Sequence, residues 1–169
     1  NSNFTITKLE NLLFQELNAY LTQSPPLEIH KGLYEVALNH AREVLDKRIK
    51  NVKAGSDRRK RQFTDAKRYS EICFVSHPIQ NITNEIEASK LLCTMITNYY
   101  AKELKAGMNS IGPVLLPLSS KKVLTVILLG FFQPSIPLSK FKESFEPLSK
   151  EKHSVTDVSY FVNYLNQFR

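Results

Sequence analysis

The sequence predicts an all-α fold, a single compact domain of about six to eight helices, and three observations lead there. Apolar residues recur at three- and four-residue intervals along most of the chain. Glycine is scarce, with five in 169 residues, which disfavours a fold of many tight turns and a glycine-built phosphate cradle. Helix start and stop signals bracket most of the periodic stretches.

The first helix opens at "TKLE" (7–10), where Thr7 and Glu10 have the spacing of a capping box. Leu9, Leu13, Leu17, Tyr20 and Leu21 form its apolar face. "SPP" (24–26) ends it, and proline is tolerated in the first turn of the next helix. In the second helix Tyr34, Leu38, Ala41, Leu45, Ile49 and Val52 step by three or four, and Gly55 supplies the stop. A third carries Phe63, Ala66, Tyr69 or Ser70, and Cys73, ending before Pro78. The short connection makes the second and third helices a long antiparallel αα-hairpin over about 27–75.

A fourth helix spans 81–107, capped by Asn81 or Thr83 and closed by Gly107. Its apolar arc is wide enough to make it a central, buried helix over about 83–106. The proline-punctuated stretch "SIGPVLLPLSS" (110–120) leads to the longest apolar run, "VLTVILLGFF" (123–132). That run is about half the ~20 residues a membrane-spanning helix needs, so 121–132 reads as a second buried core helix. Short helices follow at 139–146 and from Ser154 to the end. The whole, 1–169, is expected to be one all-helical domain cut from a longer protein, since it begins with Asn rather than Met.

A content of 42% hydrophobic and 23% charged residues belongs to a globular chain rather than a disordered one. The net charge of +7 is local: 47–68 holds ten Lys/Arg against Asp57 and Asp65 and carries +8, leaving −1 for the rest. Lys47, Arg48, Lys50 and Lys53 suit the negative end of the second helix's dipole. Arg58-Arg59-Lys60-Arg61 sit at the start of the third, where the dipole disfavours cations by a few tenths of a kcal/mol each. A cluster that breaks a local rule without visible compensation often marks function. The candidate polyanion- or nucleic-acid-binding set is therefore Lys47, Lys50, Lys53, Arg58, Arg59, Lys60, Arg61, Lys67 and Arg68, gathered at the hairpin tip. Such a patch suits phosphate contacts without base reading. The other readings are a solvated loop or an import signal, and a contact with an acidic protein partner.

"RRKR" before Gln62 also fits a furin-type processing site, and "NFT" (3–5) and "NIT" (81–83) are glycosylation sequons. Chance accounts for two sequons in a chain this rich in Asn, Ser and Thr. Cys73 and Cys93 have no metal-ligand spacing and read as buried thiols. The histidines, at 30, 40, 77 and 153, form no HExxH motif, and no GxSxG, P-loop or GxGxxG occurs. No metal, no cofactor and no enzymatic activity are expected. In the last helix, Tyr160 and Tyr164 lie four apart, away from the apolar face, and are candidate partner-binding residues.

The leading expectation is a non-enzymatic helical interaction or scaffold domain of a nuclear, nucleic-acid-associated assembly. Its basic tip would contact the DNA or RNA backbone, and a helical face would dock protein partners, with no membrane involved. The alternative is a secreted or viral helical-bundle ligand, cytokine-like, with a processed or receptor-facing basic loop.

Overall fold

A computed structural model describes residues 4–133 and replaces the all-α expectation with a mixed α/β architecture. In chain order the elements are α1 (Lys8–Leu21), β1 (Glu28–Ile29), α2 (Lys31–Leu45), α3 (Ser56–Lys60), β2 (Ala66–Val75), α4 (Glu85–Tyr99), α5 (Ala101–Leu104), β3 (Ser110–Pro117) and β4 (Val123–Phe132). The strands form one sheet in the order β1-β3-β4-β2. β1 runs parallel to β3, and β3 pairs antiparallel with β4 from Ser110↔Gly130 to Pro117↔Val123.

Two stretches taken for helix are strands. Residues 123–132 are β4, a central strand buried on both faces from Val123 to Gly130. An uninterrupted apolar run of this length satisfies a buried strand as well as a buried helix. Its β-branched content (Val123, Thr125, Val126, Ile127) and Gly130 were the strand signals. The predicted third helix is β2, so the αα-hairpin over 27–75 does not exist. "KRYSEICFV" alternates Tyr69, Glu71 and Cys73 on one face with Ser70, Ile72 and Phe74 on the other, a period of two that was obscured by the three- and four-residue spacings also present. The proline stretch is β3. The Ile111 carbonyl accepts from the His30 N–H and the Leu115 N–H donates to the Glu10 carboxylate. Odd-numbered residues of β3 therefore turn their backbone groups away from β4, and Pro113, which has no N–H, costs the β3–β4 ladder nothing.

The sheet separates two layers of helix. Ile111 and Leu115 of β3, Val123, Ile127 and Leu129 of β4 and Ile72 of β2 share one core with Leu9, Leu13 and Leu17 of α1 and Leu92 and Ile96 of α4. Alternation sends Gly112, Val114, Leu124, Val126 and Leu128 to the opposite face, where α2 packs on β3. Contact there is between backbones: a Cβ on Gly112 would stand 2.4 Å from the Tyr34 nitrogen. α4 is shorter than the 83–106 expectation. It buries a single face (Ala88, Ser89, Leu92, Cys93, Ile96) and leaves Ile86 and Tyr99 exposed.

Glu10 joins the layers. The capping box forms as expected, the Thr7 hydroxyl accepting from the Glu10 N–H and the Glu10 carboxylate from the Thr7 N–H. That carboxylate, 1 % exposed, also accepts from the Tyr34 hydroxyl at 2.6 Å and the Leu115 N–H at 2.9 Å. One side chain thus ties α1 to α2 and to the part of β3 that the two-residue β1 leaves unpaired. Burial first, then the Glu10 carboxylate, pushes the Tyr34 phenol well above its ordinary range.

The chain divides into two units, 1–131 and 132–169, and the architecture above, up to Phe131, belongs to the first. The helices expected at 139–146 and after Ser154, with Tyr160 and Tyr164, lie outside the described residues. Among the described residues no helix is long and apolar enough to cross a membrane.

Candidate functional site

The basic segment is built from the loop after α2, the single helical run of α3, and the start of β2. α2 stops at Leu45, short of the Gly55 expected to end it, and Lys47 takes a positive φ of 63° in the turn that follows. Gly55, at φ 83°, instead opens α3. Successive residues on a helix point about 100° apart, so the four consecutive cations cannot share a direction. Arg58, Lys60 and Arg61 are exposed, and Arg59 turns inward at 4 % exposure.

Arg59 is the hub of a buried polar cluster. Its Nε and Nη2 donate to the two Glu71 oxygens at 2.8 and 2.7 Å, a bidentate pair with both side chains under a tenth exposed. Its Nη1 donates to the Ala54 carbonyl at 2.7 Å and meets His40 Nδ1 at 3.0 Å. His40 Nε2 lies 2.6 Å from the Val52 carbonyl. Arginine can only donate and a carbonyl can only accept, so the imidazole is neutral with its proton on Nε2. Burial and the Arg59 charge hold its pKa below the ordinary histidine value, against the pull of the Val52 carbonyl and nearby carboxylates. The Tyr69 hydroxyl also donates to Glu71.

Burial opposes the charge on Glu71, but the hydrogen bonds from Arg59 and Tyr69 outweigh it and lower its pKa. Burial likewise opposes the charge on Arg59, and Glu71 raises it. Cys73, beside this cluster, is pushed up to about 12, mainly by burial, which makes it an inert thiol at neutral pH. Cys93 is raised to about 11, by burial first. Both thiols are free.

Of the nine candidate cations, Arg59 leaves the solvent-facing set because its guanidinium is consumed inside. Arg68 is partly engaged: it donates to the Ala106 carbonyl at 3.1 Å and stacks 5.6 Å over Phe131. Lys53 lies 5.9 Å over the Tyr100 ring. Lys47, Lys50, Arg58, Lys60, Arg61 and Lys67 are exposed and make no ion pair among the described residues. Asp57 and Asp65, also exposed, stand among them. The surface is net basic, carried on the loop, on α3 and on the start of β2, with the Arg59–Glu71 pair beneath holding α3 to β2.

Two concavities flank this region. One, of about 420 Å³, is polar, with Lys53, Lys60, Asp57, Glu71 and Glu103 in its walls. The other, of about 450 Å³, is more apolar and is lined by Lys53, Phe74, Val75, His77, Met95, Tyr99 and Tyr100. Sequence reading missed both, because their walls come from elements far apart in the chain. It missed Glu71 as Arg59's partner for the same reason. The available signal was an acidic residue on the inward face of an alternating strand, which demands a buried counter-charge.

Fold and surface together define an α/β domain with helices on both faces of a four-stranded mixed sheet and a basic rim. A solved structure with this fold is that of an outer surface protein from Borrelia burgdorferi. It superposes with a TM-score of 0.58 at 15% identity, over 77% of this chain and 97% of that one. At that identity the likeness establishes the fold. No protein-family model and no curated protein matches the sequence. The all-helical architecture assumed in both functional expectations is overturned by the sheet, and nothing in the fold or its neighbour supports a nuclear location.

Proposed function

We propose that this protein is a non-enzymatic binding module that engages the phosphate backbone of DNA or RNA, without base specificity, through the surface around α3. The observation that carries the reading is the set of six exposed, unpaired cations (Lys47, Lys50, Arg58, Lys60, Arg61, Lys67) on a segment anchored from beneath by Arg59. Each cation placed on a phosphate releases condensed counterions, so affinity falls steeply with salt. The anchor fixes the α3 cations before binding, which lowers the ordering cost.

Fluorescence anisotropy with labelled duplex and single-stranded nucleic acid at ~50 and ~200 mM salt tests the reading. The variant is Arg58→Gln/Lys60→Gln/Arg61→Gln, with Arg59 retained so that the fold is untouched. Micromolar binding that drops at least about tenfold over that salt range and is lost in the variant supports it. Equal binding by the variant refutes it.

One observation favours a second setting. The structural neighbour is described as an outer surface protein, which supports the secreted alternative over a nuclear one. There the same cations would meet an anionic polymer outside the cell. Competition of heparin against duplex DNA at matched salt separates the two settings.

A further inference from the structure

The more apolar concavity has a composition distinct from the basic rim. Phe74 of β2 and Tyr100 at the end of α4 stack with ring centroids 5.6 Å apart and an interplanar angle of 20°. Met95, Val75 and Tyr99 extend this wall, and Tyr99 is 71 % exposed. Among the described residues, five apolar or aromatic side chains stand against two polar ones, Lys53 and His77, and no carboxylate lines the space. Lys53 forms no ion pair among the described residues, and its ammonium is held over the Tyr100 ring. A volume of about 450 Å³ with a mostly apolar wall and one convergent charge is the usual form of a small-molecule site.

We infer that this concavity, between the end of β2 and the end of α4, binds a small aromatic carboxylate. The ring lies against Tyr99, Met95 and the Phe74–Tyr100 stack, where aromatic faces and a thioether favour a π-system over an aliphatic one. The carboxylate meets the Lys53 ammonium, which is positioned by its contact with Tyr100, and His77 offers a ring nitrogen as a further hydrogen-bond partner. A single lysine suits one carboxylate rather than a phosphate polymer, so this site is separate in ligand and chemistry from the basic rim.

The test titrates 2-naphthoate into the protein while following the Met95 methyl and Tyr99 ring signals by NMR. Saturable shifts with a Kd at or below about 1 mM are expected for so small a ligand. The neutral 2-naphthylmethanol, the saturated cyclohexanecarboxylate, and the variants Lys53→Met and Tyr99→Ser each weaken binding at least about fivefold. Both substituted residues are exposed, so the fold is retained, and the Arg58/Lys60/Arg61 variant binds 2-naphthoate unchanged. No saturable shift, equal binding of the neutral or saturated probe, or full affinity in Lys53→Met overturns the assignment.

Discussion

Replacing Arg59 by Met removes the hub of the buried cluster while keeping the length of the stem. The substitution deletes two bonds to Glu71 at 2.8 and 2.7 Å, one to the Ala54 carbonyl at 2.7 Å and the contact with His40 at 3.0 Å. The Glu71 carboxylate, 8 % exposed, keeps the Tyr69 hydroxyl and loses its counter-charge. A buried ion pair adds little net stability, but breaking one partner away costs about 3–5 kcal/mol, because the other charge stays buried. At roughly 2–4 °C per kcal/mol for a chain of this size, the melting temperature should fall by about 6–20 °C. Arg58→Met, one residue earlier and exposed, should stay within about 0.5 kcal/mol of the parent. Removing both partners, Arg59→Met with Glu71→Leu, should recover part of the loss, since no charge is left stranded. Thermal unfolding followed by circular dichroism at pH 7.5 reads all three. An Arg59→Met protein that melts with Arg58→Met would refute the argument that α3 is anchored by this pair. The same physics governs functional tests: neutralising all four cations of RRKR would unfold the anchor and mimic a loss of binding.

Two further outcomes follow from buried polar groups. The Thr125 hydroxyl is fully buried in β4 and is left without a partner among the described residues. Thr125→Val keeps the shape and removes that group, and should raise stability by about 1 kcal/mol in urea unfolding; a loss would show that the hydroxyl is satisfied in solution. Stability should also fall in acid. The His40 pKa is lowered on folding from 6.5, so the unfolded chain takes up a proton first, and stability declines as pH drops below about 6.5. The Glu71 pKa is lowered from 4.5, so its contribution is present above that value and is lost as pH falls through the folded one. His40→Gln should reduce the slope between about pH 6.5 and 5, where His30, whose pKa burial also lowers, still contributes, and leave the steeper acid limb; a flat parent profile over that window would refute the lowered His40 pKa.

α1 and its capping box were legible because both rest on neighbours in the chain: Thr7 and Glu10 are three residues apart, and Leu9, Leu13 and Leu17 recur at four. α2 was legible over its first four turns. Its end was not, since the left-handed residue that follows it is Lys47, which carries no sign of that conformation. α4 was seen, but overextended to Gly107 across a break at Tyr100. The basic cluster was visible as composition, whereas the inward turn of Arg59 was not.

By itself, the sequence determined the local helices, the confinement of charge to 47–68 and the candidate surface, since each depends on contacts within a few residues. Only the tertiary structure decided that 66–75, 110–117 and 123–132 are strands. The apolar run of 123–132 buries equally well as helix or sheet, 66–75 carries spacings of both kinds, and pairing between segments far apart in the chain settles the choice. It also decided which of four adjacent cations is structural, because Arg59 finds Glu71 only after β2 has joined the sheet.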